Sequence, residues 1–451
     1  MTDYPFGPAL PEVGAPLPGP RSRALAEALG RVESPNVTHL ADDFPVFWSE
    51  ARGANVRDVD GNVYLDLTAG FAVAGVGHAH PHVVAAIREQ AGRLLHGMGD
   101  VHPPELKVRL LEALAAVTPG DLGVTVLTSS GAEAVEVALK TAYLKTGKPR
   151  VLAFAGGYHG LTYGALAVSG RDWFRAPFEA QLPVTAVLAP YPEPYGFQGS
   201  PEECLAGSLR EVERLLDEHA DVGAVLAEPV QGRGGVLVPP DGFLRELSRV
   251  CDRRGLLLIL DEVYTGFGRT GRWFACEHEG VVPDLLLVGK ALTGGLPMAA
   301  CIGTPGAMDC WPRSSGEALH TSTFLGNPVT CAAALASISV LQGESLVARS
   351  ARLGKRALEQ LDGRLAGHPR VAEVRGRGMM IGLELLRDRE SREPDAALAR
   401  TVMVEALRRG VIVLAGGVHG NVISLSPPFT ISGEQLDHGI GVIVGVLDSR
   451  R

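Results

Sequence analysis

The chain has 451 residues, of which 46% are hydrophobic and 21% are charged, a composition typical of a globular protein and not of a disordered one. This length exceeds what one small core can organise, so we expect two or three domains. The formal net charge of −9 argues against a protein that binds nucleic acid or an anionic membrane surface, because both ligands require a basic patch.

The N-terminal region is predicted to contain an extended arm, a helix and a hairpin. Residues 1–20 include six prolines and show little periodicity, which favours an extended arm. The run RSRALAEALGRV is typical of a short helix that ends near Gly30. The run ANVRDVDGNVYLDL has two alternating halves around the Asp60-Gly61 turn signal and therefore predicts a β-hairpin.

From about residue 76 the pattern changes to strands that alternate with helices. VTVLTSS is followed by the helical run GAEAVEVALKTAYLKTG, and buried strands are predicted at RVLAFAGG, VGAVLAEPV, LLLILDEV and DLLLVGK. Continuous apolar strands separated by helices predict a parallel sheet covered on both faces. From about residue 345, two long helical segments and the short strands GMMIGLEL, VIVLAG and VISLSP predict a smaller α+β domain.

We therefore predict an α/β protein organised in three segments. Residues 1–75 would form the N-terminal arm and part of the small domain, residues 76–340 the large domain, and residues 341–451 the C-terminal small domain. No apolar run reaches the roughly 18–20 residues of a membrane helix, and no secretion signal is recognised at the N-terminus. Six scattered cysteines lack metal-binding spacing, so we expect reduced thiols, no metal site and a cytoplasmic location.

Several short motifs place polar or aromatic residues where predicted strands end. SSGAEAVE (129–136) puts small residues at a helix N-terminus, where free amides bind anions, although an ordinary N-cap would have the same sequence. LLLILDEV carries Asp261 to the strand end where open parallel sheets bind ligands. Asp261 could bind a metal, pair with a cation, hold a protonated ring nitrogen, or cap the next turn.

Three further motifs have a functional and a structural interpretation. Tyr158 in GGYHG could stack on a flat ligand or pack under the sheet rim. Lys290 follows an apolar strand, and its amine could reach solvent or react in a dry pocket. The hydroxyls of HTSTFLGNP (320–328) could bind a phosphate or belong to an ordinary turn. GHAHPH (77–82) could ligate a metal, but Pro81 favours a turn before a helix.

Taken together, these motifs describe one site along one parallel sheet. An anion cradle, a flat aromatic, a strand-end acid and a strand-end lysine suit an aromatic cofactor with a phosphate tail and a basic ring nitrogen. Pyridoxal 5′-phosphate (PLP) has these groups, because its aldehyde reacts with a lysine and its ring nitrogen pairs with an acid. PLP is therefore the predicted cofactor.

The motifs SGAEA, GGYHG, EPVQGRGG, DEVYTGFGRTG, GKALTGG and TFLGNP follow the order found in class III (ω-type) PLP-dependent aminotransferases. The chain resembles that family from about residue 40 to its C-terminus. The resemblance implies an aspartate-aminotransferase-like fold with a mostly parallel, seven-stranded sheet. It also implies ping-pong transfer between amine and keto acid substrates, and a homodimer or dimer of dimers with shared active sites.

The resemblance further implies roles for single residues. Lys290 would form the Schiff base and act as general base, and Asp261 would pair with the pyridinium nitrogen. Tyr158 and Val263 would cover the two ring faces, and His159 would support Tyr158 from behind. The remaining implied positions are a phosphate cradle at Ser130, Gly131 and Ala132, Glu228 beside the ring and the substrate, and Thr323, which would reach the phosphate of the neighbouring subunit.

Two positions depart from the family pattern. Tyr264 replaces the usual glutamine that contacts the phenolic oxygen of the ring, and Tyr264 could substitute as a donor or lose that contact. Ser424 occupies the position at which many members have a carboxylate-binding arginine, and a bidentate arginine is hard to replace. Arg233 could supply the missing cation or could be an ordinary surface-loop arginine.

The sequence motifs leave other functions open. The same scaffold supports amino acid racemisation or epimerisation and decarboxylation-linked transamination, which these motifs do not distinguish. A non-catalytic cofactor-binding regulator is disfavoured by the acidic charge and by the lack of a DNA-binding appendage. A nucleotide-binding α/β protein is disfavoured because neither GxGxxG nor a Walker loop occurs.

Overall fold

The computed structural model describes residues 7–450 and contains three β-sheets with helices packed around them. The strands are β1 (Trp48–Arg52), β2 (Asn55–Asp58), β3 (Val63–Asp66), β4 (Val124–Thr128), β5 (Arg150–Phe154), β6 (Ala186–Ala189), β7 (Val222–Ala227), β8 (Leu257–Asp261), β9 (Leu285–Val288), β10 (Ala299–Gly303), β11 (Val371–Arg377), β12 (Met380–Leu385), β13 (Val411–Ile412), β14 (Leu414–Gly416) and β15 (Val422–Leu425).

The α-helices are α1 (Pro20–Val32), α2 (Ala69–Ala72), α3 (Pro81–Ala91), α4 (Glu105–Val117), α5 (Gly131–Thr146), α6 (Tyr163–Val168), α7 (Asp172–Arg175), α8 (Pro201–Glu218), α9 (Phe243–Arg254), α10 (Pro305–Met308), α11 (Pro328–Gly343), α12 (Leu346–Leu365), α13 (Ala396–Arg408) and α14 (Gly433–Asp448). Short 3₁₀ helices span Ala176–Gln181, Ala275–His278 and Lys290–Leu292. The four residues of α2 have positive φ angles, so α2 is a left-handed turn.

The central sheet has seven strands in the order β4-β10-β9-β8-β7-β5-β6. Strands β6, β5, β7, β8 and β9 pair in parallel, whereas β10 is antiparallel to both of its neighbours. Along β8, Leu257 and Ile259 join the core on the α5 side, and Leu258 and Leu260 join the core on the opposite side. A strand buried on both faces has no polar alternation, which explains its continuous apolar sequence. The predicted α/β fold with a mostly parallel, seven-stranded sheet is confirmed.

Two four-stranded sheets lie outside the central one, with the orders β1-β2-β3-β13 and β11-β12-β15-β14. The predicted hairpin is β2 and β3, joined through a turn at Gly61. Strand β13 pairs in parallel with β3, so N-terminal and C-terminal chain segments share a sheet. The domain boundaries at residues 75 and 340 remain a prediction.

Several elements differ from the sequence-based expectation. Helix α1 extends to Val32, two residues past Gly30. Strands β1, β6, β10 and β11 were not predicted, because β6 and β10 are short runs of small residues and β1 and β11 carry charged residues. The C-terminal region has three long helices (α12, α13 and α14) instead of two. The predicted arm lies partly in residues 1–6, outside the described residues.

The histidine motif has a structural role in this fold. His78 contacts Asp66 through Nε2 at 2.8 Å, and His80 accepts a hydrogen bond from the His82 amide. Helix α3 begins at Pro81, as predicted. Within residues 7–450, no group of three or more His, Cys, Asp or Glu side chains could hold a metal ion.

In the described part of the chain, no single helix is long and apolar enough to cross a membrane. Helices α11 and α12 would pass that length and composition test only as a pair, and they meet at a bend of 64°.

Candidate active site

Five strands of the central sheet end at one edge, and each delivers a predicted site residue there. Asp261 is the last residue of β8, and Lys290 follows β9 by two residues. Glu228 comes directly after β7, Ser130 two residues after β4, and Tyr158 four residues after β5. All five side chains line one cavity of about 950 Å³. Convergence at the carboxyl ends of parallel strands is the usual place for a ligand in such sheets.

We call the part of this cavity formed by Ser130, His159, Glu228, Asp261 and Lys290 the cavity floor. We call the part formed by Arg171, Phe174 and Arg233 the cavity mouth.

The anion cradle lies at the N-terminus of α5. The Ser130 hydroxyl accepts a hydrogen bond from the Glu133 amide at 3.2 Å, so Ser130 is the N-cap. Gly131 and Ala132 line the cavity, and amides of a first helical turn have no acceptor within the helix. Gly160 packs on this turn, because a Cβ at Gly160 would lie 2.5 Å from that of Ala132. The N-cap at Ser130 is confirmed, and the anion site at the same helical turn stays a prediction.

Asp261 and His159 form a buried pair on the cavity floor. His159 Nδ1 lies 2.7 Å from one carboxylate oxygen of Asp261, and the other oxygen accepts a hydrogen bond from the Val263 amide. Both side chains are buried. Burial alone would lower the pKa of His159, but the hydrogen bond and the charge of Asp261 outweigh it, so this pKa is raised. The contact of His159 with Asp261 was not predicted from the sequence.

Lys290 lies at the base of the cavity in an unusual backbone conformation. Its φ of 36° is rare for a residue other than glycine, and such angles concentrate at functional sites. Desolvation lowers the pKa of Lys290 to about 8, although Asp261 and Glu228 act in the opposite direction. An amine with this pKa is partly neutral near pH 8 and can act as a nucleophile or a base.

Tyr264 contacts Lys290 and the C-terminal part of the chain. The Lys290 ammonium lies 4.5 Å from the centroid of the Tyr264 ring, a cation–π distance. The Tyr264 hydroxyl donates to Ser426 at 3.3 Å. Gly232 allows this ring position, since a Cβ there would lie 2.1 Å from a ring carbon of Tyr264. Tyr264 therefore lines the cavity directly beside the lysine.

Glu228 is buried and holds two loops of the cavity together. Its carboxylate accepts hydrogen bonds from the Tyr158 amide at 2.9 Å and from the Gly232 amide at 3.0 Å. Burial is the main cause that raises the pKa of Glu228, and the charge of His159 opposes it. Glu228 thereby connects the GGYHG loop to the loop that follows β7.

The remaining predicted residues occupy different places. Tyr158 and Val263 line the cavity, and the Tyr158 ring contacts Phe174 edge-on at 5.5 Å. Ser424 also lines the cavity, in strand β15. Thr323 is exposed and is not among the residues that line this cavity in residues 7–450. A single subunit therefore does not bring Thr323 to the site.

Sequence reasoning missed part of the mouth. Arg171 and Phe174 come from the run GRDWFR, which carries no periodic or motif signal. They reach the cavity because α7 packs beside the GGYHG loop. The adjacent aromatic residues Trp173 and Phe174 were the signal in that run that could have indicated a binding surface.

The residues of the floor fit PLP by their chemistry. A helix N-terminus with small residues suits the phosphate, and Asp261 suits a protonated ring nitrogen. Lys290 has an amine of lowered pKa, which suits reaction with an aldehyde. Tyr158 and Val263 offer apolar surfaces for the ring.

Comparison with known proteins supports the same assignment. Residues 37–447 match the sequence profile of the class III aminotransferases. The 4-aminobutyrate aminotransferase of Mycobacterium leprae is 38% identical over 440 residues, 96% of each chain. The 5-aminovalerate aminotransferase of Pseudomonas aeruginosa is 37% identical over 414 residues, 90% of this chain and 94% of its own. The alanine/serine racemase of Pyrococcus horikoshii is 33% identical over 443 residues, 96% and 92% respectively.

Solved structures agree with these relatives. An (S)-enantioselective ω-transaminase from Thermomicrobium roseum superposes with a TM-score of 0.89 at 31% identity, covering 97% of this chain and 99% of its own. A PLP-bound amine transaminase from an uncultivated Pseudomonas species has a TM-score of 0.84 at 32% identity, covering 93% and 97%. Fold and site thus define an enzyme that uses PLP to move amino groups between an amine and a keto acid. The chain belongs to the class III aminotransferases.

Proposed function

We propose that Lys290 is both the tether and the base of this aminotransferase, in a ping-pong reaction between an amino acid or ω-amine and a keto acid. The observation that carries the proposal is the position of Lys290 at the end of β9, in one cavity with Asp261 and the α5 N-terminus. The relatives named as 4-aminobutyrate and 5-aminovalerate aminotransferases support ω-amino acids as donors.

The floor residues would hold PLP as follows. Lys290 would bind it as a Schiff base, Asp261 would pair with the ring nitrogen, and the first turn of α5 (Ser130, Gly131 and Ala132) would bind the phosphate. When bound, PLP supplies an electron sink for the carbon that carries the amino group. His159 would hold the carboxylate of Asp261 in place through its 2.7 Å contact.

Lys290 is also suited to move the proton of the reacting carbon. Lys290 would hold PLP in the resting enzyme, and its amine would serve as general base for the reacting carbon when a substrate is bound. Its lowered pKa of about 8 leaves part of the amine neutral at physiological pH. Tyr264, whose ring lies 4.5 Å from the ammonium, would restrict where that amine can move.

We further propose a homodimer in which Thr323 of one subunit completes the phosphate site of the other. Thr323 is exposed and does not line the described cavity of its own subunit, and its neighbours Leu319 and Phe324 are each 64% exposed. Exposed apolar side chains in one loop are typical of a subunit interface. Mixing Lys290→Ala with Thr323→Ala chains should restore activity only if sites are shared between subunits.

A cytoplasmic location is proposed from the thiols. All six cysteines, which lie within the described residues, are unpaired, and five of them are buried. Free thiols are typical of a reducing compartment.

The function is tested with a panel of amines and keto acids, followed by the absorbance of the bound cofactor. We expect ω-amino acids to convert the cofactor to its amine form in the absence of a keto acid, and a keto acid to reverse the change. A purified protein that binds PLP but converts with no amine in the panel would contradict the proposed function.

Racemisation is the second candidate, because one relative is named an alanine/serine racemase. Incubation of single enantiomers in D₂O without a keto acid distinguishes the two reactions. Deuterium uptake with loss of optical activity, and no net change of the cofactor, would favour racemisation.

A further inference from the structure

Two arginines at the cavity mouth lack acidic partners. Arg171 and Arg233 line the cavity, and no carboxylate of residues 7–450 lies within ion-pair distance of either guanidinium. The Arg233 guanidinium carbon lies 4.7 Å from the ring centroid of Tyr158 and 5.8 Å from that of Phe174. The corresponding carbon of Arg171 lies 5.6 Å from the same Phe174 ring. The positively charged groups of Arg171 and Arg233 therefore both lie near the ring of Phe174.

The acids of the same cavity are already occupied. Glu228 accepts hydrogen bonds from two backbone amides, and Asp261 binds His159 and the Val263 amide. The charge of Glu228 acts on Arg171 through space, but neither carboxylate forms an ion pair with Arg171 or Arg233. The two arginines thus leave a net positive charge facing the cavity, which favours an anionic ligand.

The fold holds these cations in place from distant parts of the chain. Arg171 donates to the carbonyl of Arg233 at 2.7 Å and to that of Gly417 at 3.0 Å. Arg375 donates to the carbonyls of Gly235 and Val236, which follow Arg233 in the same loop. Arg375 is itself buried and paired with acidic side chains, so this loop is anchored at its base.

Arg233 keeps its donors available. Its guanidinium makes no hydrogen bond to any described residue, and an arginine over an aromatic ring retains its N–H groups for another partner. Ser424 in β15, which lines the same cavity, is small and uncharged. The cavity of about 950 Å³ leaves room for a substrate beside the ring of the cofactor.

We propose that Arg233, supported by Arg171, binds the carboxylate of the substrate and so selects amino acids and keto acids over neutral amines. The proposal deepens the aminotransferase function and rests on it. The cation is supplied by the loop after β7 and not by β15, where Ser424 is found. The carboxylate belongs to an amino acid donor or to a keto acid acceptor, and the experiment separates donors by the position of that group.

The test compares Arg233→Gln with wild-type holoenzyme in single-turnover conversion of the cofactor. The donors are 4-aminobutyrate, 5-aminovalerate, L-alanine and butylamine, which lacks a carboxylate. We expect the efficiency with the preferred amino acid to fall about 10- to 100-fold, the loss typical of a charge-assisted hydrogen bond. The rate with butylamine should change less than about 3-fold. The donor with the largest loss of efficiency shows which separation between amine and carboxylate fits the site.

A matched control is available elsewhere on the surface. The Arg392 guanidinium carbon lies 4.6 Å from the Tyr195 ring centroid, and neither residue lines the cavity. Arg392→Gln removes a similar stacked arginine and should leave all four donors unchanged. Arg233→Lys should recover part of the selectivity, because it keeps the charge and loses the planar donor geometry.

A binding measurement separates this proposal from the proposed function. Calorimetric titration of the holoenzyme with glutarate should show binding that weakens about 10-fold or more in Arg233→Gln. Equal losses with butylamine and amino acids, or unchanged glutarate binding, would overturn the carboxylate site. Failure of every donor with wild-type enzyme would instead reject the proposed function, and glutarate binding would still report on Arg233.

Discussion

The floor and the mouth of the cavity differ in the partners of their charged side chains. On the floor, each acidic group has partners within the protein: Asp261 binds His159, and Glu228 binds two backbone amides. At the mouth, Arg171 and Arg233 have aromatic neighbours and no acidic partner among the described residues. Protein groups hold the carboxylates of the floor in place, which suits the proposed cofactor site, whereas the proposed counter-ion of the two arginines at the mouth is the carboxylate of the substrate.

The two regions also differ in origin. The floor is formed where neighbouring parallel strands end, so its residues come together as soon as the sheet forms. The mouth joins segments near residues 171, 233 and 417, which are far apart in the chain. The difference suggests that the chemistry depends on the sheet, and substrate choice on loops that can vary around it.

The largest effect should come from the floor. Lys290→Ala should lower amino transfer by at least about 1000-fold with every donor, because both the tether and the base are lost. The measurement is the steady-state rate, together with the absorbance of the bound cofactor. Lys355→Ala, at an exposed position of α12, is the control and should behave as wild type. If Arg233→Gln lost as much activity with butylamine as with the amino acid donors, the floor and the mouth would not have separate functions.

The lowered pKa of Lys290 can be measured without catalysis. Competitive acetylation of the apoprotein, quantified by mass spectrometry, should show Lys290 half-deprotonated near pH 8, because burial disfavours its charged form. Lys145, whose pKa is raised by its hydrogen bond with Asp309, should react only at higher pH. Parallel profiles for the two lysines would show that the floor does not activate Lys290.

The buried His159–Asp261 pair predicts a pH-dependent stability. Because the folded pKa of His159 is raised above its ordinary value of 6.5, its stabilisation is fully present below pH 6.5 and is lost as pH rises through the folded pKa. Urea unfolding of the apoprotein should show wild type more stable than His159→Gln by about 1.5–3 kcal/mol at pH 6, with a smaller difference at pH 9. A difference that grows with pH would contradict the charged pair.

The smallest effect is expected for Tyr264, which contacts Lys290 on the floor and Ser426 near the C-terminal sheet. Tyr264→Phe keeps the ring beside Lys290 and removes the hydroxyl that donates to Ser426. We expect a decrease in catalytic efficiency of roughly 2- to 10-fold, equal for charged and neutral donors. A loss of efficiency confined to donors with a carboxylate would indicate that Tyr264 also contributes to the proposed carboxylate site.

The sequence by itself determined the parallel sheet and the order of the floor residues. Apolar runs in β7, β8 and β9 end at Glu228, Asp261 and just before Lys290, and strand direction alone places these ends at one edge. Short-range signals of this kind survive in a single sequence because they depend on local pattern. The motifs together also indicated the cofactor, and the family resemblance then added the class of reaction.

Only the tertiary structure decided the rest. The pairing of His159 with Asp261, the contact of Tyr264 with Lys290 and the approach of Arg171 to the cavity connect residues that are distant along the chain. Strands β10 and β11 were also missed, since their identity depends on neighbours and not on their own composition. Side-chain packing between loops fixes these contacts, and no local periodicity encodes it.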